Sequence, residues 1–458
     1  MFGFGMNRRV HKDMGIKKWL GVVFLLSGFG IAGCGGTVQE TMTETVPTEK
    51  EERELAEEEG LEREPETISE NEVTDVAERG DETEDTTQSA RREPVKIKGI
   101  YVSGPVAGIE KMNGLIDLVD RTELNAMVID VKNDEGKVTY KMQSDLVQEL
   151  EASVGYIPDI HELVQKCKEK DIYLIARIVA FRDPYLAEKK PEWAVHTKDG
   201  DVFRDKNGMA WVNPYNREVW DYLVEVASRA AEDGFDEVQF DYIRFSTDVK
   251  EEEVDYGPEA EKADKVKIIT EFTKYLYEKL APQGVYVAAD VFGTVIDNKT
   301  DQMIVGQDYA KMASNLDYIC PMVYPSHYYS GAYGIKVPDA DPYETIYAAS
   351  SASARELEAI PEESRARVRL WLQSFTASWV PGHISYGPEQ IREQIRGAYD
   401  AGYEEWILWN AAVNYQADSL LTSEEAEAER MRWETGESEP GESVSVNSLP
   451  VSGETEPK

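Results

Sequence analysis

Eight short apolar runs, each followed by a longer stretch with helical spacing, constrain this chain more than any other feature. The runs lie at Ile97–Val102, Ala126–Val131, Tyr173–Val179, Glu237–Asp241, Val285–Asp290, Tyr318–Met322, Arg369–Gln373 and Glu405–Trp409. Short runs of this composition, bounded by polar turns, read as buried strands. Between them, Ile160, Leu163, Val164 and Cys167 fall on one helical face, as do Val219, Trp220, Leu223, Val226 and Ala227. Asn216 is placed to cap the second of these helices. Ile268, Phe272, Tyr275, Leu276 and Leu280 make a third stripe, and Ile391, Ile395, Ala398 and Tyr399 a fourth. Strands alternating with helices predict a parallel sheet, and eight such units close it into a (β/α)8 TIM barrel. An open doubly wound sheet is the alternative. No Gly-x-Gly-x-x-Gly follows the first strand, so a dinucleotide-binding version lacks support.

The ends of the chain have a different composition. Arg8, Arg9, His11, Lys17 and Lys18 precede a short apolar run from Trp19 to Leu26, and Ile31-Ala32-Gly33-Cys34 closes the segment. The run is too short to span a bilayer comfortably and has the order of a secretory signal. Ending on a cysteine, residues 1–33 resemble a bacterial lipoprotein signal, with Cys34 as the lipidated first residue of the mature protein. Diacylglycerol and an amide-linked chain together give stable membrane anchoring. Residues 34–94 are dominated by Glu, Asp and Thr, and 434–458 by Glu, Ser, Pro and Gly. Segments so poor in apolar side chains cannot offset their ordering entropy, so both are expected to be disordered. They bracket a folded unit at 95–433. The linker reads as an acidic stalk that lifts this unit off the extracytoplasmic face of the membrane. The tails carry much of the formal charge of −39, and such a balance argues against nucleic acid as a partner.

Cysteine and histidine are scarce. Cys167 sits on an amphipathic stripe and Cys320 in an apolar run, so both read as free core thiols. His161, His196, His327 and His383 have no metal-type spacing. No cofactor is called for. Asp130, Asp134 and Glu135 suit calcium in ligand type, but three acidic residues at a strand end read first as a solvated turn.

The strand ends carry the chemistry. In a barrel enzyme the active site lies at the C-terminal face, and strand alternation decides which side chains face inward. Gln239 and Asp241 share one face of the fourth strand, while Val238 and Phe240 share the other. Asp290 ends the inward face of the fifth strand, Val128, Asp130 and Lys132 share a face of the second, and Arg177 nears the rim of the third. Gln373 and Asn410 close the seventh and eighth. Two carboxylates, one ionised and one protonated, are the minimal equipment for glycoside hydrolysis, and Arg177 or Arg244 could hold one ionised. Aromatic residues that sugars can pack against follow the strands as well: Tyr324, His327, Tyr328, Tyr329 and Tyr333 after the sixth, Trp379 after the seventh and Trp409 ending the eighth.

From about Ile97 to Ala417 the chain resembles the bacterial glycoside-hydrolase-like barrels of the DUF4015 type. The resemblance rests on Gly99-Ile100-Tyr101-Val102, Val128-Ile129-Asp130-Val131-Lys132, Ala176-Arg177-Ile178-Val179, Pro321-Met322-Val323-Tyr324-Pro325, and above all the segment from Phe235 to Phe245 with its Asp241-Tyr242-Ile243-Arg244-Phe245. The family commonly has Pro after this last run, where Ser246 stands here. The resemblance implies a (β/α)8 barrel of glycosidase architecture, with Asp241 as nucleophile or stabiliser. Fold alone does not fix a substrate.

The leading expectation is therefore a lipid-anchored glycoside hydrolase acting on a cell-wall or extracellular polysaccharide. Asp241 would be nucleophile or stabiliser and Asp290 the general acid, with Asp130 and Glu135 as competitors for the acid. Asp130, Lys132, Arg177, Arg244, Tyr324, His327, Gln373, Trp379, Trp409 and Asn410 would bind or orient substrate. A lipoprotein that binds carbohydrate or serves as a scaffold without hydrolysis is the alternative, and a transporter's solute-binding lipoprotein a third reading, which the strand count disfavours.

Overall fold

A computed structural model of the protein describes residues 95–250 and 252–435. Its central strands are β1 (Lys98–Val102), β2 (Ala126–Lys132), β3 (Tyr173–Val179), β4 (Glu237–Asp241), β5 (Tyr286–Phe292), β6 (Tyr318–Met322), β7 (Leu370–Gln373) and β8 (Trp406–Trp409). Each pairs in parallel with its neighbours in chain order. The sheet closes because β1 pairs with β8, Lys98 opposite Trp406, as well as with β2, Gly99 opposite Ala126. Helices follow the strands in turn: α1 (Lys111–Asp120), α2 (Ile160–Lys168), α3 (Arg217–Glu232), α4 (Lys265–Leu280), α5 (Tyr309–Ala313), α6 (Pro342–Leu357), α7 (Pro388–Asp400) and α8 (Ser423–Thr435). This is the (β/α)8 barrel that the alternation predicts.

Side-chain periodicity explains why the layers separate. Every residue of β2 and β3 is buried, as strands covered on both faces require. In β4, Phe240 turns outward and meets Phe272 of α4 edge-on, with ring centroids 6.3 Å apart. The α3 and α4 stripes interlock between sheet and solvent, with the Trp220 and Phe272 centroids 5.1 Å apart. Fully burying a side chain such as Phe272 contributes about 1.5–3 kcal/mol. The helices start where the sequence offers caps: Asp159, Asn216 and Asp264 accept from the backbone N–H groups of Glu162, Glu218 and Lys267.

The barrel floor is polar and closed. Arg369, wholly buried just before β7, donates to Glu237 Oε1 at 2.7 Å and to Glu405 Oε2 at 3.1 Å. Its guanidinium lies 3.8 Å from the Tyr318 ring centroid. Charges buried this deeply are tolerated because each has a partner.

Several boundaries differ from expectation. The Asp290 strand runs two residues further, because Val291 and Phe292 still pair with Pro321 and Met322. Short strands at Val138–Tyr140 and Ser153–Ile157 extend the sheet beside β2, the first antiparallel through Lys132 and Val138. They are too short, and the second too exposed, to stand out by pattern. The run before Gln373 breaks at Arg369, with Arg367–Val368 pairing on β6 ahead of β7. Helix α8 continues to Thr435, past the expected limit at 433. The expected signal, Cys34, the linker and the tail from 436 onward lie outside the described residues. Among the described residues no helix is long and apolar enough to cross a membrane.

Candidate active site

The third barrel strand supplies the hub. Arg177 is inward on β3, opposite Asp130 of β2 and Gln239 of β4 in register, and is 2% exposed. Its Nε and Nη2 both donate to Asp241 Oδ2, at 3.0 and 2.6 Å. Its Nη1 donates to Asp130 Oδ1 at 2.7 Å and reaches Asp134 Oδ2 at 3.3 Å. One guanidinium thus bridges carboxylates from two flanking strands and the loop after β2.

Asp241 ends β4 at the rim. Besides the arginine fork, its Oδ1 accepts from the Tyr242 backbone N–H at 2.6 Å. Tyr242 has φ of +52°, a left-handed conformation that costs a non-glycine residue on the order of 1–3 kcal/mol. Tertiary contacts hold it there: the Phe181 N–H donates to the Tyr242 carbonyl, and Arg182 Nη1 donates to its hydroxyl at 2.8 Å.

Asp290 has the opposite environment. It is 1% exposed, and Trp371 Nε1 of β7 donates to its Oδ1 at 2.6 Å. Gln239 Nε2 donates to the same oxygen. Oδ2 takes no hydrogen bond among the described residues and is not sealed from solvent. Burial, and after it the negative charge of Asp241, push this carboxyl well above the usual carboxylate range. Asp130 is intermediate. Burial raises it to about 6 against the opposing charge of Arg177, and the Tyr101 hydroxyl donates to its Oδ2 at 2.6 Å.

Aromatic rings line the same mouth. Trp409 lies against Tyr101, centroids 4.1 Å apart, and edge-on to Trp371 at 5.6 Å. Its indole N–H is buried without an acceptor among the described residues. Tyr324 is buried, and its phenol is pushed up by burial and then by the charges of Asp290 and Asp241. From Tyr324 a line of rings leads outward through Phe375, 6.0 Å away, to Trp379, which stacks on Phe375 at an interplanar angle of 19° and is 47% exposed. His327 is exposed at the rim, its ring edge-on to Tyr324 at 5.1 Å.

Four residues expected at the mouth make their bonds elsewhere than to Asp241 or Asp290. Lys132 points away from Asp130, because a register shift between them reverses the alternation. Its ammonium is buried against Asp183 Oδ2 at 2.7 Å and donates to the Val179 carbonyl. Gly136, at φ +80°, lets the loop after β2 pass this pair, since a Cβ there would meet Asp183 Oδ1 at 1.9 Å. Gln373 is wholly buried and ties loops together, accepting from Ser326 N–H and donating to Asp339 and the Phe375 carbonyl. Asn410 closes a turn through Ser374 and Ala412. Arg244 makes no ion pair with Asp241. Its Nη1 donates to the Phe245 carbonyl at 2.9 Å, and its guanidinium lies 4.4, 5.0 and 5.2 Å from the rings of Phe292, Tyr242 and Trp211. Burial lowers its pKa to about 10.

Tyr101, Trp371 and the bonding role of Gln239 are absent from the sequence-based set of site residues. The signal for all three was inward position on a strand, but an aromatic residue there is indistinguishable by pattern from core. Asp130 and Asp134 are committed to arginines and Glu135 is exposed. Among the described residues no group of three His, Cys, Asp or Glu could hold a metal ion. What the arrangement can do is present two carboxyls in unlike surroundings to a ligand flanked by rings.

No curated protein matches the chain. Among solved structures it is similar to a hypothetical protein from Ruminiclostridium thermocellum, at 37% identity over 42% of this chain and 97% of the other, with a TM-score of 0.39. It is also similar to the PgaB (BpsB) glycoside hydrolase domain from Bordetella bronchiseptica, at 13% identity over 70% of this chain and 95% of that one, with a TM-score of 0.50. The latter likeness is one of fold. Residues 99–415 match the family model DUF4015, described as "Putative glycosyl hydrolase domain". That match spans most of the chain and every inward residue of the mouth described above, so the protein belongs to the DUF4015 family of glycosyl hydrolase domains.

Proposed function

We propose that this protein hydrolyses glycosidic bonds of a cell-wall or extracellular polysaccharide, with Asp290 as general acid and Asp241 as nucleophile or stabilising anion. The contrast between the two carboxyls carries the reading. Asp241 receives three donors, two of them from a guanidinium. Asp290 receives two neutral donors on one oxygen and no cation contacts it. A proton retained by Asp290 therefore sits on Oδ2, the oxygen with no hydrogen bond among the described residues. Transferred to the glycosidic oxygen, it lets the C–O bond break with the leaving sugar neutral. The positive charge growing at the anomeric carbon is met by Asp241, and a water then adds to that carbon, its proton returning to Asp290. Asp130 fits the acid role less well, because both of its oxygens are engaged and one faces Arg177 directly. Tyr324, Trp379 and Trp409 offer faces for sugar rings, and the family description points the same way.

The N-terminal sequence supports a location for this chemistry: a lipid on Cys34 would hold the enzyme on the extracytoplasmic membrane face, its substrate being the surrounding glycan.

Leaving-group dependence tests the acid. Asp290→Asn is expected to lower turnover of polysaccharide by at least about 10²-fold while sparing an aryl glycoside whose leaving group needs no proton. Equal losses on both substrates would contradict the assignment.

A further inference from the structure

Among the described residues three arginines are buried, and they differ in company. Arg177 is paired with Asp130 and Asp241, and Arg369 with Glu237 and Glu405. Arg244 is 3% exposed and takes part in no ion pair among the described residues. The nearby Asp248 is committed to Lys206 at 3.2 Å, and Asp241 to Arg177. A guanidinium buried without an anion is a costly arrangement.

Its placement indicates what the arrangement serves. Arg244 stands three residues beyond Asp241, and Phe292, the ring closest to it, stands two beyond Asp290. The guanidinium thus sits between the loops that leave the two candidate carboxyls. Nη1 is used by the Phe245 carbonyl, whereas Nε and Nη2 take no hydrogen bond among the described residues and are not sealed from solvent. Those two atoms form one edge of the fork, the same edge with which Arg177 grips Asp241. Two coplanar oxygens of a carboxylate match that edge, and a sugar hydroxyl fills only half of it. The rings of Trp211, Tyr242 and Phe292 fix the orientation of the plane.

We propose that Arg244 recognises a carboxylate on the glycan, so that the substrate is an acidic polysaccharide whose carboxyl-bearing unit lies beside Asp241 and Asp290. This rests on the glycan-binding mouth proposed above and narrows its substrate class. The carboxylate is either that of a uronic acid or that of an ether-linked acid such as muramic acid carries.

The test is equilibrium binding to the full-length chain carrying Asp290→Asn, chosen to slow turnover during the measurement. The probes are oligouronates and muramic-acid oligosaccharides, each against its carboxyl-reduced counterpart. At least one acidic probe is expected to bind about tenfold or more tightly than its reduced form, the scale of a charge-assisted fork. Adding Arg244→Met should abolish that difference. Arg244→Lys keeps a buried cation but loses the fork, and should lose most of it, which preserves the test if the methionine variant does not fold. Equal affinity for acidic and reduced probes, no binding of any acidic probe, or a preference surviving in either folded variant overturns the proposal. Hydrolysis of neutral glycans by the wild type, without the preference in binding, would leave the reaction standing and remove the carboxylate specificity. The preference without hydrolysis would do the reverse.

Discussion

Asp241 and Asp290 are the same residue type, one strand apart, and differ only in what surrounds them. Arg177 and a backbone N–H attend the first, whereas burial and the charge of the first act on the second. This difference has a stability signature. The folded state holds the Asp290 proton well above the ordinary carboxylate range, while the unfolded chain releases it near pH 4. Below pH 4 both states are protonated and the folded state has its full advantage. As pH rises toward the folded-state pKa, the unfolded state binds fewer protons and stability is lost. Asp290→Asn, which cannot ionise, is therefore expected to melt higher than the wild type at pH 8, with the gap closing toward pH 4. Thermal unfolding at the two pH values measures it, and a gap independent of pH would contradict the assigned environment. At this scale the sequence was partly legible. Period two brought Asp241, Asp290, Asp130 and Arg177 to one mouth, but a register shift turned Lys132 away. Trp371 donates to Asp290 from β7, a contact that depends on ring reach across the barrel rather than on any local pattern.

Strands and helices were easier to read than their contacts. Apolar runs and helical stripes depend on local spacing, so all eight barrel strands were visible, with ends displaced by one or two residues. The exceptions have physical causes. The β5 strand extends past Asp290 because its neighbour continues, and the pieces at Val138–Tyr140 and Ser153–Ile157 exist by pairing rather than by pattern. Nor does spacing identify which inward charges build the floor. Arg369→Met would leave Glu237 and Glu405 buried together without their cation. Breaking such a group costs about 3–5 kcal/mol, and urea unfolding should register a loss of that size. Because Arg369 lies at the opposite end of the barrel from Asp241, turnover by the folded protein should persist. Unchanged stability would contradict the floor's role.

For the whole molecule, residues 95–433 carry −23 of the formal charge of −39, so the acidity belongs to the barrel as well as to the segments that flank it. If Cys34 carries the lipid, Cys34→Ala should shift the protein from the membrane fraction to the soluble one while leaving the barrel's activity intact. Fractionation followed by immunodetection distinguishes this from a protein that stays with the membrane regardless. The mouth built on Asp241 is proposed to cleave glycosidic bonds. The most direct test is reducing-end release from a panel of neutral and acidic wall and extracellular polysaccharides by the full-length chain, wild type beside Asp241→Asn. Release by the wild type is expected, and at least about 10²-fold less by the folded variant. Equal release by both would remove Asp241 from the chemistry. No release from any glycan by the wild type, with glycan binding intact in both, would make the mouth a binding surface and contradict the claim.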